Sequence, residues 1–171
     1  MRNATLLLTL ACTLVACSGS SGGPVDSGLP AERKGSELSD AEATQLCEAR
    51  AQHLAAQVDN DDLHHQSCVR AGIATASLGG GMVSTCQTFY DMCIKMEFKP
   101  SEGGNAACML GFDLTTCNAT VSVLEDCFTE QNEATASTLK SLSCDDLGKE
   151  ATTPTTGPAC TTAKASCPGV A

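Results

Sequence analysis

The chain has 171 residues and a formal net charge of −10, with no Trp, one Tyr, four Phe and 12 cysteines. Such an acidic balance argues against nucleic acid or anionic lipid headgroups as partners, since both would be repelled. So few large apolar side chains bury little area per residue, and the cysteines are expected to staple a small domain that its core alone would hold weakly.

Residues 1–16 carry Arg2, an apolar stretch from Leu6 to Val15 and the small Ala16. This is the layout of a secretory signal that is removed on export. The stretch is too short for a membrane span, which takes about 20 apolar residues. The expected division is therefore a signal peptide over 1–16, a linker over 17–37 that begins at Cys17, and a cysteine-rich helical domain over 38–171.

The run Leu14-Val15-Ala16-Cys17 resembles the lipobox of bacterial lipoproteins. That resemblance implies cleavage before Cys17, a diacylglycerol on its thiol and, with Ser18 following, delivery to the outer membrane of the bacterial cell envelope. Membrane attachment would then be through the N-terminal lipid, because two or three acyl chains anchor stably where one binds only marginally. Removing Cys12 with the signal and committing Cys17 to lipid leaves ten cysteines, Cys47, Cys68, Cys86, Cys93, Cys108, Cys117, Cys127, Cys144, Cys160 and Cys167. Ten is even, as a fully oxidised exported domain requires.

Residues 18–36 are rich in Ser, Gly and Pro and read as a flexible tether, with the folded part starting near Leu38. A random coil of that length reaches roughly 24 Å. Ser39-Asp40-Ala41-Glu42 then forms a capping box, and Leu46, Cys47, Leu54 and Val58 recur at helical spacing behind it. Asp59-Asn60-Asp61-Asp62 reads as a polar break before a shorter helix from Leu63 or Cys68 to Leu78, stopped by three glycines. Met82, Cys86, Phe89, Cys93 and Met96 make one apolar helix face, a stripe of the kind that forms core, closed by Lys99-Pro100.

Residues 102–105 turn the chain, and Asn105 is a candidate cap for a helix through Cys108, Leu110 and Leu114. The next helix is expected from Thr120 or Ser122, with Ser122 and Glu125 as a second capping box, Leu124, Cys127 and Phe128 on one face, and a continuation to Leu142. A short capped turn over 143–148, a loop over 151–158 and a last segment between Cys160 and Cys167 follow. No stretch alternates with period two, so the fold class is all-α: a small disulfide-stapled helical bundle after a flexible N-terminal tether. From Thr120 to Pro168 the pieces VLEDC, SLSCDDL, PAC and CP are similar to the tails of uncharacterised cysteine-rich bacterial lipoproteins, a resemblance that carries no activity with it.

Cysteines seven apart on one helix lie about 10.5 Å apart along its axis, too far to bond each other. If the residues on either side of the turn near 101 form an antiparallel hairpin, matched positions have a nearly constant sum of residue numbers. That predicts bridges Cys93–Cys108 and Cys86–Cys117, and leaves the pairing of Cys47, Cys68, Cys127, Cys144, Cys160 and Cys167 open.

The spacings lack C-x-x-C, C-x-x-C-H and the close set of an iron–sulfur site. G-x-S-x-G, H-E-x-x-H and a phosphate-binding glycine loop are likewise absent. His53, His64 and His65 with Asp59, Asp61 and Asp62 are the one metal-like group, but a calcium loop starting at Asp59 would need Gly where His64 stands and Glu where Arg70 stands. The cluster reads as a solvated loop. These residues predict a lipid-anchored envelope protein with a binding or structural role, an envelope protein as its partner, no cofactor, no metal and no catalytic residues, and hence not an enzyme. The alternatives are weak metal capture through His64 and His65, and an enzyme of unrecognised type.

Overall fold

The computed structural model describes residues 23–98, 108, 110–149 and 157–170. Cys17, the signal, the turn at 102–105 with its Asn105 cap, Lys99-Pro100 and most of the loop at 151–158 lie outside them. The described residues hold five α-helices and no strand: α1 Asp40–Gln57, α2 Asn60–Leu78, α3 Val83–Cys93, α4 Val121–Ser141 and α5 Pro158–Ser166. The all-α, disulfide-stapled bundle is what the sequence leads one to expect.

Helix α1 starts at the Ser39 box: the Glu42 amide donates to Ser39 Oγ at 3.4 Å, and the Glu42 carboxylate accepts from the Ser39 amide at 2.9 Å. Orphan amides of the first turn are thereby satisfied from both sides. Its Leu46 and Cys47 are buried. The following acidic run is a cap rather than a break. Asp59 Oδ1 accepts from the Asp62 amide at 2.8 Å, so α2 begins at Asn60, three residues before Leu63. Asp61 and Asp62 then occupy the positive end of the helix dipole. The helix stops at the three glycines, where Gly80 and Gly81 take φ of 97° and 76°, a region closed to most side chains.

Helix α3 folds back against α2, the most extensively packed pair in the fold, while α4 lies between α1 and α5. Only part of the predicted stripe on α3 is core. Cys86 is buried, whereas Met82 and Met96, beyond the helix ends, are exposed. The principal core gathers Leu46, Leu124, Cys127, Phe128, Cys160 and Ala163 from α1, α4 and α5. Phe128 and Leu124 are fully buried, each stabilising by roughly 1.5–3 kcal/mol relative to exposure. A second cluster joins Ala76, Cys86 and Cys144 with Ile73, Tyr90 and Leu147 around it.

Several expectations are corrected. Residues 23–37 are not a free tether: Val25, Ser27 and Gly35 are buried, and the segment is tied down along its length. The Val25 amide donates to Thr129 Oγ1, Ser27 donates twice to Glu125, and the Gly35 and Ser36 amides donate to the carbonyls of Ala119 and Cys117. Because Glu125 serves Ser27, the expected Ser122–Glu125 box does not form, and α4 starts behind Thr120. In place of a helix through Cys108 and Leu114 there is one 3₁₀ turn, Leu114–Thr116, capped by Asp113. The turn at 143–148 forms as expected, with Ser143 capping a 3₁₀ turn, Cys144–Asp146.

The predicted bridges Cys93–Cys108 and Cys86–Cys117 are both replaced. The pairs are Cys47–Cys108, Cys68–Cys93, Cys86–Cys144, Cys117–Cys167 and Cys127–Cys160, with Cα separations from 4.1 to 5.8 Å. The turn of the hairpin lies at the glycines after α2 and not near residue 101. Helix α3 pairs backward with α2 around Gly80, and Cys68 and Cys93 stand 12 and 13 residues to either side of it.

Candidate functional site

The histidine-bearing turn of α2 is helical rather than a solvated loop, and the helix geometry separates the residues that sequence grouped. His64 and His65 are neighbours in the chain, so their side chains leave the helix about 100° apart. His65 is a clasp between three elements. Its Nε2–H donates to the Leu142 carbonyl at the end of α4, and Nδ1 accepts from the Tyr90 hydroxyl of α3, both at 3.0 Å. The carbonyl can only accept, which fixes this tautomer. Tyr90 also meets the ring edge-on, with centroids 5.4 Å apart.

His64 faces the other way. Its ring stacks on Phe98 at 4.8 Å, and Nε2–H donates to the Cys93 carbonyl at 3.3 Å. One turn further along α2, at the i+4 position, Cys68 shares this face and is bridged to Cys93 of α3. A ring nitrogen of His64 and the two sulfurs all lie within 4.8 Å of one another, the one such ligand group among the described residues. Cys68 is buried, while His64 and Cys93 are half-buried.

The remaining members of the suspected metal group serve structure. His53 sits on α1, with Nδ1 3.0 Å from the Asn132 side-chain amide of α4, which also donates to the Arg50 carbonyl at 2.8 Å. Asp59 and Asp62 cap α2, and Asp62 adds an ion pair with Lys140 at 3.5 Å. Three carboxylates are held below their ordinary range by capping or turn contacts. Asp113 owes this to the Thr115 hydroxyl and amide, Glu42 first to the Ser39 amide, and Asp146 first to the Ser143 amide. Arg50 is shifted down by burial, its guanidinium 4.8 Å over the Phe128 ring.

Open grooves also mark the surface of the described residues, two of them above 500 Å³. One of about 560 Å³ runs between α1, α2 and α4 and is lined by Leu54, Ala55, Val58, Leu63 and Leu139. Another of about 730 Å³ lies between the start of α1 and residues 110–115, with Leu38, Thr44, Leu110, Phe112 and Asp113 on its walls. Sequence reasoning identified neither groove nor the His64–Cys68–Cys93 group. The i,i+4 spacing of His64 and Cys68 was legible, but the third member depends on which way α3 folds back. Comparison with protein-family models, curated proteins and solved structures finds no match in any of the three.

Proposed function

We propose that the chain is a lipid-anchored, disulfide-rich protein of the bacterial cell envelope, held at the outer membrane through Cys17, and that its role is binding or structural. The observation that carries this reading is the sequence Leu14-Val15-Ala16-Cys17-Ser18 at the end of an export-type apolar run. The bridge set supports it: all ten cysteines from Cys47 to Cys167 pair among themselves, so none of them is left to partner Cys17. Five bridges also suit an oxidising compartment outside the cytosol.

The carboxylates that are pushed towards the ionised form, Glu42, Asp113 and Asp146, are used structurally, each accepting from amides and hydroxyls of a helix start or turn. A binding role is supported by the apolar groove at Leu54, Val58 and Leu139 and by the exposed Leu78, Met82 and Met92, presented on a cross-linked scaffold. An envelope protein is the partner that fits this setting.

The test is the intact mass of the protein extracted from membranes, alkylated before and again after reduction. Acyl mass on the peptide that begins at Cys17, with no alkylation before reduction and ten alkylations after it, is the expected result. A protein without acyl chains that starts at another residue overturns the anchor.

A further inference from the structure

We propose that Cys68–Cys93 is a reducible bridge whose reduced form, together with His64, binds a thiophilic divalent metal ion of the zinc class. The proposal is independent of the lipid anchor. One ring nitrogen of His64 already lies within 4.8 Å of both sulfurs, which in the oxidised chain are bonded to each other. In a tetrahedral zinc site with metal–sulfur bonds of about 2.3 Å and metal–nitrogen bonds of about 2.0–2.1 Å, neighbouring ligand atoms stand roughly 3.5–3.8 Å apart. Breaking the bridge lets the two sulfurs separate toward that spacing.

The chemistry of each donor fits. His64 Nε2–H donates to the Cys93 carbonyl, which leaves the lone pair on Nδ1 and orients the ring, as a carbonyl on the far nitrogen does for metal-bound histidines. No hydrogen bond from another described residue occupies Nδ1. Two thiolates neutralise a divalent ion, so the loaded site carries no net charge into its half-buried position. With three protein ligands, the fourth position falls to water.

Access distinguishes this bridge from most of the others. In Cys86–Cys144, Cys117–Cys167 and Cys127–Cys160 both cysteines are buried, whereas Cys93 is half-exposed to an attacking thiolate, as is Cys108 in the fifth pair. The reductant is a dithiol: it gives two electrons and two protons to Cys68 and Cys93 and leaves as its own disulfide. Zinc then displaces both thiol protons to solvent as the two zinc–sulfur bonds form. The α2–α3 pair stays closed meanwhile, because Cys86–Cys144 still holds α3 in the buried cluster that it shares with Ala76 of α2.

The experiment uses the full mature protein as isolated, titrated with a soluble dithiol and then with Zn²⁺ alone, in parallel with Co²⁺ as an absorbing probe. Peptide mapping of alkylated samples reads which thiols have opened. The expected result is one equivalent of metal per chain once Cys68 and Cys93 are reduced, a cobalt–thiolate charge-transfer band, and protection of both thiols from alkylation by zinc. His64→Ala should weaken zinc binding at least about tenfold without changing which bridge opens or the far-ultraviolet circular dichroism. Simultaneous opening of all five bridges overturns the proposal, as does opening of Cys68–Cys93 without metal uptake. Equal zinc affinity in His64→Ala removes the histidine from the site and overturns it as well.

Discussion

Gly72 lies against the backbone of Cys86. A Cβ added there would stand 2.9 Å from the Cys86 carbonyl oxygen and 3.0 Å from its sulfur, and neither can retreat, the first because it belongs to α3 and the second because it is bridged to Cys144. The glycine therefore sets the distance between the two most extensively packed helices. Gly72→Ala gains about 1 kcal/mol of helix propensity but meets an overpacking cost of about 1–3 kcal/mol against a fixed backbone. The expected outcome is a net loss of stability, read as a lower thermal midpoint in non-reducing buffer. Gly79→Ala is the control. Its added Cβ meets nothing closer than 3.5 Å at a negative φ, so that variant should be neutral or slightly more stable.

Helix α5 has no cap of its own, since its N-cap is Gly157. The carboxylate of Glu130, one helix away on α4, supplies it by accepting from the amides of Ala159 and Cys160, both at 3.1 Å. An anionic acceptor at a helix N-terminus is worth about 1–2 kcal/mol. Glu130→Ala should lose about that much. Amide exchange should rise first at Ala159 and Cys160, while Cys127–Cys160 and Cys117–Cys167 keep the rest of α5 in place. An unchanged exchange rate at those two amides would count against the borrowed cap.

Glu42 gives a pH dependence with a definite sign. Its carboxyl is held below its ordinary value of 4.5, chiefly by the Ser39 amide, then by the Ser39 hydroxyl and by Arg33. A group whose pKa is lower folded than unfolded contributes stability above the unfolded value and loses it as pH falls through the folded one. Glu42→Gln should therefore be less stable than the parent at neutral pH, and the two melting curves should converge on acidification below about pH 4. Parallel curves across that range would contradict the assignment.

The parts of the fold legible in the sequence are those fixed by local contacts. The Ser39–Glu42 box and the buried face of Leu124, Cys127 and Phe128 depend on residues within one or two turns of each other, and both appear where expected. The acidic run at Asp59–Asp62 shows the limit of composition as a guide, because the same residues that suggest a loop also make a capping box for the helix they begin. Bridge pairing depends on helix order in space. Choosing residue 101 rather than Gly80 as the hairpin centre was enough to misassign two bridges, and with them the partner of Cys68 that completes the group at His64. Long-range hydrogen bonds are the least legible of all, as residues 23–37 show. Nothing periodic marks Ser27, whose partner Glu125 is 98 positions away.

That docking bears on how an anchored protein would stand on its membrane. Ser27 donates its amide and hydroxyl to Glu125 at 2.7 and 2.6 Å, and the Val25 amide donates to Thr129 at 2.8 Å. With Val25 fixed to α4, the chain between it and Cys17 is eight residues long, a reach of at most roughly 26–29 Å even if fully extended. A free segment up to Leu38 would allow more than twice that distance. The docked segment thus keeps the start of α4 close to any lipid on Cys17. Glu125→Ala removes both Ser27 contacts and should raise amide exchange at Val25 and Ser27 while leaving the circular dichroism of the helices unchanged. On vesicles carrying the acylated protein, energy transfer from a label on the domain to the lipid surface should fall in that variant. The exposed Asp126, changed to Ala, should alter neither readout. Equal exchange in Glu125→Ala and the parent would mean that residues 23–29 are held by contacts other than Glu125 and would overturn its role in setting the reach.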